Sequence, residues 1–428
     1  MKHVVDAGRT LLVVGPASVN VISRNVEVLG APVRTKRKIV VREGKQMAFE
    51  VKKKATFDLT LGKGGNLEEV DGSTIPHSWE KAAEQLLSND EKPIKVVVMG
   101  KVDIGKTSFC TYLANKALQN RKKVAVIDGD LGQSDIGPPS TIGYSRLTTP
   151  IRDLFEVKVE DAFFVGKTTP SGATDRAISG LKKLESNAQR SSVNFLIINT
   201  DGWVEGEEAV EYKVRLVESV DAGVAVGIED KDELAQILSS LKALNGLNVL
   251  SVDSPSAIKK RSPEKRKGLR ELGYKKYLRK ARMRSFPLSW VKIKGAILGS
   301  GVSPSKERRR KIEEMLNTHP LYCEESADFL LLVLRRGEWV DEMQMLSLEE
   351  QVKKKVKVFW EGDESGLLVG LHGADDGFLG IGVLRSVDFV REELKVYTSV
   401  EEEVSMVRFG GVRLDEKGGE VGECKVFC

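Results

Sequence analysis

The chain has 428 residues, 41% hydrophobic and 30% charged, with a net charge of +5 at pH 7. That length accommodates about two or three domains with cores of their own, and the balance is ordinary for a soluble globular chain rather than a disordered or fibrous one. No stretch of about 18 apolar residues suggests a membrane span. Met1-Lys-His-Val-Val-Asp6 meets charge too soon for a secretory leader, so the expectation is a cytoplasmic protein, or a nuclear one if its source has a nucleus.

Four cysteines (Cys110, Cys323, Cys424, Cys428) and four histidines (His3, His77, His319, His372) are scattered, with no C-x-x-C pair. This leaves no zinc site, disulfide framework or Ser-His-Asp arrangement to build on. Chemistry falls to carboxylates, lysine, arginine and a metal.

Residues 9–62 carry short apolar runs, among them Leu11–Val14, Val19–Ile22, Ile39–Val41 and Phe57–Leu61, punctuated by glycine and proline. This pattern predicts a small all-β unit within residues 1–90. A helix is expected from Ser78 to Leu87, and the polar stretch Ser88–Pro93 reads as a boundary.

A second unit, residues 91–288, opens with an apolar strand at 94–99 that breaks into Gly100, Lys101, Val102, Asp103, Ile104, Gly105, Lys106, Thr107 and Ser108. The spacing G-x-x-x-x-G-K-T is that of a phosphate loop. Its glycines let backbone N–H groups curl around phosphate oxygens, Lys106 neutralises them, and the Thr107 hydroxyl holds Mg²⁺. Phe109, Leu113 and Ala117 follow at helical spacing, so a helix N-terminus faces the loop. Beyond the helix at 106–119, strands at 123–128, 193–198, 222–228 and 247–251 alternate with helices at 207–219 and 231–243. Such alternation predicts a parallel sheet covered on both faces, with ligands at the carboxyl ends of its strands.

Two strand ends place carboxylates at that edge. Asp128-Gly-Asp130-Leu-Gly-Gln133 closes the second strand, where Asp130 could hold Mg²⁺ through water or take a proton from an attacking hydroxyl, with Gln133 beside it. The plainer reading makes Asp128 and Asp130 turn formers. Thr200-Asp201-Gly202-Trp203 closes the third, and Asp201 competes with Asp130 for the metal. Trp203 is either a base-stacking platform or a packing residue.

Residues 257–284 form the most basic segment, with Arg261, Arg266, Arg270, Tyr274 and Tyr277 in its course. It reads as a nucleic-acid footprint, as a lid supplying arginines to a transferred phosphoryl group, or as both. Smaller basic groups at Arg34–Lys38, Arg308–Lys311 and Lys353–Lys355 read as surface. Residues 289–428 return to β-like runs (291–294, 329–334, 356–359, 367–370, 394–397), a helix at 304–316 being the expected exception. The fold class is therefore α/β, with a central P-loop domain flanked by a small N-terminal all-β domain and a mostly β C-terminal domain.

The combination of motifs resembles the P-loop polynucleotide 5′-hydroxyl kinases, including the RNA kinases of mRNA 3′-end cleavage, tRNA splicing and pre-rRNA processing; the chain is similar to a compact archaeal-type member. The resemblance spans the three-part layout and is most specific over residues 94–284. Asp130-Leu-Gly-Gln133 resembles the family's D-x-G-Q, whose aspartate is implied to activate the 5′-hydroxyl, and this implication favours Asp130 over Asp201. Thr168-Thr169-Pro170 resembles a segment that grips substrate, although Ala173 stands where the family has asparagine. Thr200-Asp201-Gly202-Trp203 resembles T-x-G-W, which implies stacking of Trp203 on a base, and Arg261 and Arg266 match the lid's R-x-x-x-x-R, with Arg270 a further candidate.

The resemblance implies a kinase that moves the γ-phosphate of ATP, with Mg²⁺ on Thr107 and Asp130, to the 5′-hydroxyl end of RNA or DNA. Lys106, Asp130, Arg261 and Arg266 are its implied catalytic set, and Gln133, Thr168, Thr169, Pro170, Thr200, Trp203 and Arg270 its substrate contacts. RNA-processing proteins are implied partners, and a membrane is not. A nucleotide-gated scaffold that binds ATP without turning it over is the main rival. A small-molecule kinase is a second, disfavoured by the basic segment and Trp203.

Overall fold

The computed structural model describes residues 1–23, 25–35, 37–88, 93–257 and 260–423. Lys36 of the first small basic group, residues 89–92 of the expected boundary, Ile258 and Lys259 of the basic segment, and Cys424 and Cys428 lie outside the described residues. The chain divides into two compact units, Met1–Gly273 and Tyr274–Cys428.

In the first unit, residues 2–71 form two antiparallel sheets. One pairs Lys2–Val5, Ala55–Leu61, Ala17–Val21 and Lys38–Val41 in that spatial order; the other runs Ala31–Pro32, Val26–Val28, Gln46–Val51, Arg9–Val14, Asn66–Asp71. Alternate residues such as Val19, Val21, Phe49, Phe57 and Leu59 turn inward to a shared core, as the period of two in a strand requires.

Helix α1 (His77–Leu87) leads to a seven-stranded sheet of β1 (Ile94–Met99), β2 (Val124–Gly129), β3 (Thr141–Leu147), β4 (Asp161–Phe164), β5 (Phe195–Thr200), β6 (Val224–Glu229) and β7 (Asn248–Asp253). Its order is β4-β3-β2-β5-β1-β6-β7. The five strands β2, β5, β1, β6 and β7 are parallel, as the alternating pattern predicts. β3 and β4, from the stretch 129–192, add two antiparallel strands that widen it into a mixed sheet. Residues 130–140, between β2 and β3, hold no helix to carry a parallel crossover, so β3 can only fold back on β2.

Because both of its faces are covered, β1 is apolar apart from Lys95, whose ammonium pairs with Glu185 and donates to the Val220 carbonyl. Val96 and Val98 enter a core with α1 and α2 (Lys106–Gln119), which contributes Phe109, Cys110, Leu113 and Ala117. Val97 and Met99 enter the opposite core, built with α3 (Thr174–Arg190), α4 (Glu207–Ser219) and α5 (Ala235–Lys242). Each fully buried side chain of this size adds about 1.5–3 kcal/mol, so the loop between β1 and α2 rests on a rigid support. Helix α6 (Pro263–Tyr277) carries the basic segment, whose last residues, Arg282–Arg284, begin a strand of the second unit.

The second unit has a mostly antiparallel sheet, ordered Arg282–Pro287, Glu393–Thr398, Phe378–Asp388, Leu367–His372, Met406–Leu414, Lys292–Lys294, with Glu420–Glu423 beside Met406–Leu414. A three-stranded sheet (Tyr322–Glu325, Phe329–Leu334, Lys355–Trp360) packs with α7 (Lys306–Leu316) and α8 (Glu342–Val352). Helix α8 departs from the expectation of a single helix here. Asp341 and Gln344 form a capping box that starts it, yet Met343 and Leu346 are exposed, so its apolar residues do not trace one buried stripe. The basic run Arg308–Lys311 is spent in pairs with Glu325, Glu313, Glu314 and Glu307. No helix among the described residues is long and apolar enough to cross a membrane.

Candidate functional site

Because β2, β5 and β1 are consecutive in the sheet, their carboxyl ends lie side by side; Val98 and Asp128 both pair with Asn199. The three strand-end motifs therefore meet at one edge, beside the phosphate loop. The loop turns tightly. A Cβ on Gly100 would sit 2.7 Å from Ile104 and 2.8 Å from the Ile228 carbonyl, and Gly105 takes φ +110° at the N-cap of α2. Lys106 is buried, and its ammonium donates to the Lys101 carbonyl at 2.8 Å. Burial pushes this ammonium below its usual pKa, against the opposing pull of Asp130.

The carboxylates divide their work. Asp128 is fully buried and organises the turn, accepting from the Asn199 amide and from the backbone N–H groups of Asp130, Asp135 and Ile136. Burial, with Asp135 and Asp130 nearby, raises its carboxyl to about 7. Asp130 accepts from the N–H groups of Gly132 and Gln133 through Oδ1 alone. Burial raises its carboxyl too, with Lys106 opposing. Asp201 is spent inside the fold: Oδ1 accepts from Trp203 N at 2.9 Å and Oδ2 from the buried Lys213 ammonium at 3.0 Å. Thr200 is buried as well, and its hydroxyl donates to the Val98 carbonyl at 2.9 Å.

The arginines of the basic segment reach the loop. Arg261 donates to Asp103 from Nη1 at 2.7 Å and from its backbone N–H at 3.0 Å, and to the Gly44 carbonyl from Nε at 2.9 Å. Arg266 donates to Asp103 at 3.4 Å and to the Arg261 carbonyl at 2.7 Å, and Gln133 donates to the Arg266 carbonyl at 3.1 Å. The far wall comes from the N-terminal sheets. Arg42 donates to Asp153 at 2.8 Å and lies 3.6 Å above the Phe155 ring, while Lys45 pairs with Asp135 at 2.9 Å. Burial alone would raise the Asp153 carboxyl, but Lys45 and Arg42 outweigh it and hold it at about 2.

These groups enclose a cavity of about 420 Å³, lined by the loop from Val102 to Ser108, Asp130, Gln133, Arg261 and the strand-to-strand segment around Lys45. Gly100, Lys101, Thr168, Thr169, Pro170, Thr200, Trp203, Arg266 and Arg270 lie outside its lining. Thr168 packs on the Asp130 turn, where a Cβ on Gly132 would come within 2.9 Å of its carbonyl. Trp203 is half-buried with its indole stacked on Tyr212, centroids 5.8 Å apart and planes at 27°. Ala173 caps α3, its N–H donating to the Pro170 carbonyl. Sequence reasoning missed Asp103 as the partner of both arginines, and Arg42, Lys45 and Asp135 as a wall; no spacing in the chain announces those pairs.

The donor set suits a magnesium–triphosphate: a glycine-shaped loop at a helix N-terminus, a lysine, a threonine hydroxyl at the helix start and a carboxylate with one oxygen outside the turn's hydrogen bonds. No group of three or more His, Cys, Asp or Glu side chains placed to hold a metal occurs among the described residues.

A family model described as the mRNA cleavage and polyadenylation factor CLP1 P-loop matches residues 100–280. The chain is 29% identical to the polyribonucleotide 5′-hydroxyl-kinase of Methanocaldococcus jannaschii, over 78% of this chain and 91% of that one. It is also 29% identical to the enzyme of that name from Pyrococcus furiosus, over 81% and 95%. The solved structure of wild-type Clp1p with Pcf11p superposes with a TM-score of 0.67 at 11% identity, covering 96% of this chain and 97% of that chain, a likeness of fold. With its phosphate loop, D-x-G-Q turn and T-x-G-W corner gathered on one sheet edge, the chain matches the CLP1 P-loop model over residues 100–280 and is similar over most of its length to proteins named polyribonucleotide 5′-hydroxyl-kinase.

Proposed function

We propose that this protein is an ATP-dependent polynucleotide kinase that phosphorylates the 5′-hydroxyl end of RNA. The observation that carries the reading is the convergence of Lys106, Asp130 and Arg261 on one cavity beside a phosphate loop. The triphosphate of ATP lies along the loop N–H groups, with Lys106 released from the Lys101 carbonyl onto the phosphates. Thr107 and Asp130 would hold Mg²⁺, which when bound neutralises charge on the phosphate oxygens. Asp130 orients the 5′-hydroxyl and draws off its proton, and its raised pKa suits that task at neutral pH.

Arg261 and Arg266 are tethered to Asp103 within the loop, so they need only a short movement to reach a γ-phosphoryl group carrying developing negative charge. The 5′ end enters past Thr169 and Pro170, with Trp203 stacking on the terminal base. Gln133 joins the substrate side of the turn to the lid through the Arg266 carbonyl. Thr200 serves this reading from inside the fold, by tying β5 to β1, rather than by touching substrate. Arg270, on α6, is a further contact for the nucleic-acid backbone.

The family and the basic segment favour RNA in an RNA-processing setting, with protein partners there. The test is whether ATP consumption depends on a free 5′-hydroxyl end. Turnover that rises with hydroxyl-ended oligonucleotide and not with its 5′-phosphorylated twin supports the kinase, whereas ATP binding with no such dependence points to a nucleotide-gated scaffold.

A further inference from the structure

Lys213 has no exposed side-chain surface, and its ammonium meets Asp201 twice, at Oδ2 (3.0 Å) and at the backbone carbonyl (3.1 Å). A buried ion pair is a poor general stabiliser, because desolvating both charges offsets most of their attraction. What this one does is geometric. Asp201, Gly202 and Trp203 turn the corner after β5, and each is fixed from a different side. Asp201 takes Lys213 on Oδ2 and the Trp203 N–H on Oδ1. Gly202 lies against the phosphate loop, so close that a Cβ there would sit 2.7 Å from Val102 N. Trp203 lays its indole nearly parallel on the Tyr212 ring, and the Lys213 ammonium lies 5.1 Å from the centroid of that same ring.

We propose that Tyr212 and Lys213 of α4 are positioning residues that hold the Trp203 indole as the platform for the substrate's 5′-terminal base. Tyr212 sets the plane of the indole by stacking beneath it; Lys213 anchors the carboxylate from which the Trp203 backbone hangs. Through Gly202 the same corner fixes how far the platform stands from the phosphate loop. This inference rests on the kinase reading above, and supplies the part of the substrate site that recognises a base without reading its identity.

The test crosses protein variants with a substrate variant. Transfer is measured for a short 5′-hydroxyl RNA and for the same RNA with an abasic 5′-terminal nucleotide, using the wild type, Tyr212→Leu, Tyr212→Phe and Lys213→Met. Stacking on a base is worth about a five- to 150-fold preference, so the wild type should show an abasic penalty of that size in KM. In Tyr212→Leu and Lys213→Met the penalty should shrink toward one while KM for ATP holds within about twofold. Tyr212→Phe, which keeps the ring, should retain most of the penalty.

A merely structural role would slow both RNAs alike, so an undiminished penalty in the folded variants overturns the proposal. If Lys213→Met does not fold, Tyr212→Leu decides alone. A wild type that phosphorylates both RNAs with equal KM overturns the stacking platform, and one that labels neither overturns the kinase reading itself.

Discussion

Gly202→Ala tests whether the T-x-G-W corner and the phosphate loop form one mechanical unit. An alanine Cβ at this position would lie 2.4 Å from Val102 Cγ2, 2.7 Å from Val102 N and 2.9 Å from Val102 Cα. The Val102 side chain is 45% exposed and can rotate away, but the backbone atoms cannot. Bringing Val102 N from 2.7 Å to the 3.4 Å at which ordinary contact begins moves the loop by 0.7 Å. Misplacing a reacting group by about 1 Å can cost about 10²-fold, so kcat/KM for ATP should fall roughly 10- to 100-fold. Overpacking of this kind also costs about 1–3 kcal/mol, visible as a lower denaturant midpoint. The assay is steady-state transfer with ATP varied at saturating oligonucleotide, alongside urea unfolding. An alanine variant with wild-type kcat/KM for ATP would refute the coupling.

Lys106→Ala should abolish transfer while leaving the fold intact by circular dichroism; near-normal rates would dismiss the phosphate-loop assignment. Asp130→Asn should lower kcat by about 10²- to 10⁴-fold with KM for ATP largely kept, as measured in single-turnover transfer. Transfer needs Asp130 as carboxylate, so kcat should rise with pH as the proton leaves. Burial, opposed by Lys106, raises this group above its ordinary 3.8, so the acid limb should lie above that value and be missing in Asp130→Asn. Arg261→Ala should slow the chemical step on the order of 10³-fold if this arginine meets the γ-phosphoryl group, and unchanged single-turnover rates would confine it to tying the lid to Asp103.

The legible parts of this chain were those whose physics is local. The phosphate loop announces itself because glycine conformations, a lysine and a hydroxyl must fall within nine residues, and β1 because a strand covered on both faces reads as a near-continuous apolar run, here interrupted by Lys95 alone. Asp130 and Asp201 were visible as carboxylates at strand ends, but their division of labour was not. It depends on Lys213, twelve residues along, reaching back to occupy Asp201. The Arg261–Asp103 pair joins residues 158 apart, and Arg42 and Lys45 enter the cavity wall from a different sheet; periodicity carries no information about either. Helix α3 went unassigned within the long stretch after β2, and α8 was missed although its capping box, Asp341 with Gln344, stands in the sequence.

The most direct measurement is transfer of label from γ-labelled ATP to a short 5′-hydroxyl RNA, with the matching DNA and a 5′-phosphorylated RNA alongside. The account predicts label on hydroxyl ends alone, with RNA favoured over DNA, and none with Lys106→Ala. ATP binding with no label on any oligonucleotide would contradict it.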